Sequence, residues 1–392
     1  MKVLIISAFG NVNSDTNDRV NSVYDYLSFD PKIVTTDFSH RDKEYRSQTS
    51  SRNVDYLHVT PYKKSLSIAR IFSHWTFAIR LFIYLLKNGK NYKLIYCITP
   101  TPSSAFVCSI YKRLTKRIFL IIDVIDIWPE GLLTINKHFN IFKILFLPWS
   151  WISIFAYKSA NLLITATKGF KDRINKYNPG IPCDYFPLGI DNLANTKLLN
   201  QSTIKLFKPV GEIWICYAGN LGYSYDFDLM FESIERVQNK NKNIRFYVIG
   251  GGVRLEYIKD QFNTRRILGH ITGNLSYPNY LKYLSYCDIG FNLYVNNSPV
   301  AQSYKFNDYV YSSIITINNL KGETADLISE YQIGINISNS SDELTVILNQ
   351  LIENWDSFSS WKDNCVLLID QVLSKDKVYM RLMNFLKTNL KL

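Results

Sequence analysis

The sequence predicts an α/β protein built from two successive parallel-sheet units of the Rossmann type. Short apolar runs closed by glycine alternate with stretches of helical periodicity, and the alternation restarts near residue 212. The chain's 392 residues exceed what one hydrophobic core ordinarily serves.

Val3–Ala8 is a continuous apolar run closed by Gly10, the pattern of a central parallel strand buried on both faces. The helix after it is expected to start near Asn17, as a cap, and to present Val20, Val23, Tyr24 and Leu27 at helical spacing. Further strands are expected at Lys32–Thr36, Leu94–Ile98, Ile118–Val124 and Leu162–Thr165. The polar stretch Asn192–Thr203 reads as the connection between units. Beyond it the pattern resumes at Glu212–Ala218, Ile244–Ile249, Ile267–Leu268, Ile289–Leu293, Ile314–Ile317 and Gly334–Ile337. A ligand site is expected in the crevice between two such units.

The formal net charge of +12 lies entirely in one half. Residues 1–190 carry 25 Lys and Arg against 13 Asp and Glu, whereas the remainder carries 20 of each. A basic first half suits an anionic partner, a phosphate-rich membrane leaflet or a nucleic acid. The second is set aside, because no nucleic-acid reading motif accompanies the charge. The six cysteines (Cys97, Cys108, Cys183, Cys216, Cys287, Cys365) show neither C-x-x-C pairing nor histidines at ligand spacing, so reduced core thiols and no metal are expected. The MKVLIISAFG start is too short for a secretory leader and reads as a buried strand.

Two segments, Arg70–Leu86 and Ile141–Tyr157, are strongly apolar and aromatic yet hold Arg80 with His74, and Lys143 with Pro148. That composition argues against spanning helices and fits either core helices or elements lying in a headgroup zone. The clusters Lys63-Lys64, Lys112-Arg113 and Lys116-Arg117 favour the second reading.

Phosphates bind where glycine admits a close backbone approach and a helix N-terminus offers free amides. Gly10 with its following loop, Gly219-Asn220 and Gly250-Gly251-Gly252 with Arg254 meet that description. Asp123, Asp126 and Glu130 cluster at the end of a strand, where carboxylates meet substrate hydroxyls or cap the next helix. Ser303-Tyr304-Lys305 stands at an expected helix start, with Lys305 toward a diphosphate and Asp308 one turn on toward a ribose; a solvated surface pair is the plainer alternative.

In order, the motifs AGNLG, VIGGGVR, ILGHI, CDIGFNLY, YKFNDY, GETADLI and IGINI resemble the second half of family 4 glycosyltransferases of the GT-B fold. FGNVNSDTNDRV, DVIDIWPEGLL and the junction FPLGID resemble the branch that builds O-antigen and capsule repeat units. The resemblance implies two Rossmann-like domains facing a central cleft: an acceptor and membrane-facing domain 1–191, a donor-binding domain 192–372, and a helix 373–392 crossing back, with Trp361 opening the helical C-terminal segment. It also implies sugar transfer with retention and without a metal or other cofactor. The donor would be a nucleotide-sugar, a UDP-sugar before others, and the acceptor a polyprenyl-diphosphate-linked saccharide at the inner face of the cell membrane. Gly219 and Asn220 would lie beside the donor, with Gly251 and Arg254 near its diphosphate or base. Ser303, Tyr304 and Lys305 would hold phosphate and Asp308 ribose. Asp126 and Glu130 would approach the reacting sugar or acceptor, opposite Gly10.

The chain departs from the family pattern in two places. The first acid of E-x7-E falls on Val300, and Tyr223–Asp228 holds none of the usual Arg or Lys. His270 receives no catalytic role. Two other readings stand beside sugar transfer: a non-catalytic scaffold subunit of the same fold, motivated by these gaps, and a nucleotide-sugar epimerase of similar architecture.

Overall fold

A computed structural model describes residues 1–10, 12, 18–27, 29–40, 43–46, 52–64, 67–126, 143–296, 303–355 and 359–390. The chain divides into two compact units, Met1–Leu188 with Asp376–Leu392, and Gly189–Lys375.

Unit 1 contains β1 (Lys2–Ser7), α1 (Arg19–Tyr26), β2 (Asp30–Thr36), β3 (Val54–Leu57), α2 (Ile68–Asn88), β4 (Leu94–Thr99), α3 (Pro102–Thr115), β5 (Phe119–Val124), α4 (Lys143–Ser159), β6 (Leu162–Thr165), α5 (Lys168–Tyr177) and β7 (Cys183–Tyr185). Its strands lie in the order β3-β2-β1-β4-β5-β6-β7, all parallel. Side-chain alternation divides each strand between two cores. Leu4, Ile6, Ile95, Cys97, Leu120 and Ile122 meet Phe77, Leu81 and Leu85 of α2 on one face. Val3, Ile5, Tyr96 and Ile121 meet Val20 and Val23 of α1 on the other.

Unit 2 follows with α6 (Asn192–Asn200), β8 (Ile213–Ala218), α7 (Phe227–Lys240), β9 (Ile244–Ile249), α8 (Leu255–Thr264), β10 (Gly269–Gly273), α9 (Tyr277–Leu284), β11 (Ile289–Asn292), α10 (Tyr304–Tyr311), β12 (Ile315–Asn318), α11 (Glu323–Tyr331), β13 (Gly334–Asn336), α12 (Ser341–Glu353) and α13 (Ser359–Leu368). Its sheet runs β10-β9-β8-β11-β12-β13, again all parallel. The last helix, α14 (Lys375–Leu390), belongs to unit 1, where Val378, Tyr379, Leu382 and Leu386 are buried among Val3, Ile5 and Tyr96. Each such side chain contributes about 1.5–3 kcal/mol of apolar burial.

Several local expectations change. Helix α1 is capped by Asp18, whose carboxylate accepts from Val20 N at 2.9 Å, and not by Asn17, which lies outside the described residues. The polar stretch after residue 191 is helix α6, tied to α9 through Asn279, whose Oδ1 accepts from Ser202 Oγ and Thr203 N at 3.0 Å. Only the last part of the Trp361–Leu392 segment joins unit 1. Cys365 and Leu368 of α13 pack on Phe306 and Val310 within unit 2. The expected strand at Ile267–Leu268 begins instead at Gly269, whose φ of +155° and contact with Phe246 O leave no room for a Cβ. The short edge strands β3 and β7 are half-buried and carry no continuous apolar run, which is why periodicity misses them.

Candidate functional site

In an open parallel sheet, ligands bind at the carboxyl ends of the strands where the strand order reverses. In unit 2 that point lies between β8 and β11. The turns after these strands, and the turn after β9, bring together most of the second-half residues singled out in the sequence.

Two glycine turns interlock there. Gly219 has φ +128° and donates its N–H to Ile249 O at 2.8 Å. Gly250 has φ +141°, and a Cβ on it would stand 2.0 Å from Gly219 O. Leu221 N donates to Gly251 O, and Arg254 N to Leu221 O, both at 3.0 Å. A Cβ on Gly251 would strike Asn274, and one on Gly252 the Asn220 side chain. A Cβ on Gly219, by contrast, would meet nothing nearer than Lys305 Cε at 3.8 Å. Gly250 and Gly252 are therefore required by close backbone neighbours and Gly251 by the Asn274 side chain, whereas Gly219, whose positive φ also favours glycine, leaves a space open above Lys305.

Lys305, in the first turn of α10, is buried. Its Nζ stands 3.6 Å from the ring centre of Tyr225, 4.1 Å from Tyr217 and 5.1 Å from Tyr294. Tyr225 and Tyr294 are bridged through their backbones beyond β8 and β11, and their ring centres lie 4.9 Å apart. No hydrogen-bond acceptor meets the Nζ among the described residues. Burial pushes its pKa well down, while three π faces around it favour the ammonium. The amine thus has aromatic stabilisation and an unfilled hydrogen-bonding capacity. Among the described residues Asn292 Oδ1, Asn307 Oδ1 and Thr324 Oγ1 are likewise buried without hydrogen-bond partners, at the end of β11, in α10 and in α11.

Ser303, buried at the N-cap of α10, makes no capping bond and accepts from Tyr294 Oη at 3.1 Å, and Tyr304 is exposed. Asp308 accepts from Tyr277 Oη at 3.2 Å on one oxygen and from Tyr280 Oη at 2.9 Å on the other. Desolvation raises its carboxyl to about pH 6 against those phenol bonds, so part of its accepting capacity is already used. Asn220 is exposed beside the turn. Arg254 lies over Tyr257 at 4.1 Å and Phe227 at 5.4 Å, with Asp228 at 3.8 Å, so its guanidinium is held by aromatic faces and an acid.

In unit 1, Gly10 donates to Ser7 Oγ at 3.1 Å, and a Cβ on it would strike Val20 of α1; its glycine serves close packing. Asp123 does not belong with the substrate-facing acids. It is fully buried, bonded by Arg19 at 2.7 and 3.3 Å and by Tyr96 Oη at 2.7 Å. Arg19 also donates to the carbonyls of Phe186 and Pro187 and to Tyr379 Oη of α14. Burial lowers the pKa of Arg70, and the charge of the exposed Asp126 works against that shift. Glu130 and Val300 lie outside the described residues.

The tyrosine cage and Arg19 escape sequence reasoning because their partners come from distant turns. The only local trace is tyrosine at Tyr225 and Tyr294, just beyond two strands. Among the described residues no cluster of His, Cys, Asp and Glu forms a metal site, and the six cysteines are free thiols.

No protein-family profile matches the chain, and neither does any curated protein. Solved structures do. The chain is similar to HepE of Anabaena in complex with UDP, with a TM-score of 0.70 at 12% identity, over 99% of this chain and 100% of that one. It is similar to the sucrose-phosphate synthase of Thermosynechococcus elongatus, with a TM-score of 0.71 at 12% identity, over 100% and 99%. It also resembles WaaG, a glycosyltransferase involved in lipopolysaccharide biosynthesis, with a TM-score of 0.66 at 11% identity, over 97% and 98%. At these identities the likeness defines the fold: two parallel-sheet, Rossmann-like domains of the GT-B type.

Proposed function

We propose that the protein is a glycosyltransferase of the family 4 kind that takes a sugar from a nucleoside-diphosphate sugar, of which a UDP-sugar is the first to test. The observation that carries this is Lys305: an amine without an acceptor, under the open side of Gly219, at the switch point of the unit 2 sheet. A sugar leaves a nucleotide as a diphosphate, and the developing negative charge needs donors placed in advance. Lys305 supplies one, and the first amides of α10, which the Ser303 side chain leaves uncapped, supply others. The reading requires no metal. HepE, similar in fold, was crystallised with UDP.

The rest of the reading extends from this: transfer with retention to a polyprenyl-diphosphate-linked saccharide in O-antigen or capsule synthesis, at the cytoplasmic face of the cell membrane. Helix α2 supports the membrane part, since it buries Phe77, Leu81 and Leu85 while exposing Ile68, Phe72, Ile79, Ile83 and Leu86. Its hydropathy and length would also allow a membrane span, but a third of the apolar window is buried against the unit 1 core, as in an interfacial or core helix.

The test is calorimetry with UDP, GDP and dTDP, followed by transfer from the matching sugar nucleotides to a prenyl-diphosphate saccharide. Binding of one nucleotide together with sugar transfer is the expected result. Silence toward all three nucleotides would leave the scaffold reading in its place.

A further inference from the structure

A second cluster lies in unit 1, at the carboxyl ends of its strands, and none of its members was singled out for chemistry in the sequence except Asp126. Phe9 follows β1, His40 and Lys43 follow β2, Tyr62 follows β3, and Arg70 and His74 stand in the first two turns of α2. The ring of Phe9 is 4.7 Å from that of His40 and 5.3 Å from that of His74, with the Arg70 guanidinium 5.5 Å from its centre. Arg70 Nε lies 3.4 Å from His74 Nε2, so that nitrogen is an acceptor and the imidazole is neutral. His40 Nδ1 bonds Tyr62 Oη and lies 3.3 Å from Lys43 Nζ. Phe9, Tyr62, Ser73 and His74 are also among the residues that line a small, largely apolar cavity beside this cluster.

This composition selects its ligand. Desolvation above all, and then Arg70, push both imidazoles down, His40 to about 4 with Lys43 adding to the effect and His74 to about 3 with His40 adding to it. The facing carboxylate is that of Asp126, which acts on Arg70. A metal cation would meet two fixed positive charges at this place. An oxyanion carrying two charges would meet two cations and two imidazoles able to take up protons beside it. The same helix presents Ile68 and Phe72 to solvent at its start, next to Arg70. An anion bound here therefore sits beside an apolar stripe.

We propose that Lys43, Arg70, His40 and His74 form a binding site for a phosphate ester, the diphosphate of a lipid-linked acceptor, at the head of α2. The inference deepens the transferase reading and rests on it for the ligand's role.

Binding of inorganic pyrophosphate and of geranyl diphosphate is measured by calorimetry on the full chain under saturating UDP, so that the unit 2 site is already occupied. Both probes are expected to bind, and Lys43→Met/Arg70→Met to weaken them at least tenfold, with melting temperature and UDP affinity unchanged. Arg70→Lys alone is expected to retain part of the affinity. Tighter binding of geranyl diphosphate than of pyrophosphate assigns the site to a lipid-borne head. Equal binding leaves the phosphate site standing and assigns it to soluble phosphates. No binding of either probe, or equal affinity in the double variant, overturns the site. Loss of UDP binding by the wild-type protein would sink the transferase reading instead, so the two failures are told apart.

Discussion

Lys305 Nζ stands 3.6 Å from the centre of the Tyr225 ring and meets no hydrogen-bond acceptor among the described residues. A buried amine in that position costs stability, because its lost hydration is only partly repaid by the rings. If the amine serves a diphosphate, its removal separates stability from binding. Lys305→Met keeps the volume and removes the charge. Its thermal midpoint is expected to hold or rise, while UDP affinity falls at least tenfold, the worth of a charge-assisted hydrogen bond of about 1.5–3 kcal/mol. A variant that melts higher and binds UDP unchanged would refute the assignment.

The contrast between the two units shows how much the sequence discloses. Runs such as Val3–Ala8 and Ile244–Ile249 are legible because a central parallel strand is apolar on both faces. Glycine turns are legible too, but their purpose is not: Gly219 leaves space open, whereas a Cβ on Gly250 would collide with the Gly219 carbonyl. Asp123 and Asp126 stand three residues apart and read alike. The fold sends one into a buried pair with Arg19, 104 residues away in sequence, and the other to the surface. Such separations are set by packing, which no local pattern records.

The Arg19–Asp123 pair joins α1 and β5 and, through the Arg19 guanidinium, the Phe186 and Pro187 carbonyls and Tyr379 of α14. Breaking a buried pair from one side leaves a charge without compensation. Arg19→Met or Asp123→Leu is therefore expected to cost roughly 3–5 kcal/mol. The double variant should cost clearly less than the two losses added together, though Tyr96 Oη would still lack its acceptor. Urea unfolding of the four proteins measures the coupling. Strict additivity would show that the pair does not act as a unit.

Two groups of residues give opposite pH slopes. Asp308 is raised to about 6 by burial, so between about pH 4 and 6 the folded state holds a proton that the unfolded state has released, and stability falls as pH rises. His40 and His74 are lowered to about 4 and 3, so below about pH 6.5 the unfolded state takes up protons that the folded state refuses, and stability falls as pH drops. Asp308→Asn should thus gain stability relative to wild type as pH rises from 4 to 6, by an amount on the order of 2 kcal/mol. His40→Gln/His74→Gln should flatten the loss on the acid side of pH 6.5. Denaturant midpoints at half-unit pH steps read both effects, and parallel profiles for wild type and variants would contradict them.

Helix α2 places its two faces in different surroundings, with Phe77 fully buried and Phe72 63% exposed only five residues away. Exposed apolar side chains at Ile68, Phe72, Ile79, Ile83 and Leu86 recur at helical spacing, and the stripe is accompanied by exposed Arg80, Lys87 and Lys90, with Lys116 and Arg117 beyond α3. If the stripe enters a headgroup layer, each side chain contributes apolar transfer energy and each cation about 1 kcal/mol at an anionic surface. The protein should then float with vesicles containing phosphatidylglycerol, less so in high salt, and hardly at all with neutral vesicles. Phe72→Ser/Ile79→Ser/Ile83→Ser should abolish flotation without lowering the melting temperature, because none of the three is in the core. Lys87→Ser/Lys90→Ser/Arg117→Ser should weaken it at low salt and matter little at high salt. Flotation that ignores both the apolar and the basic substitutions would show that α2 is not the surface that meets lipid.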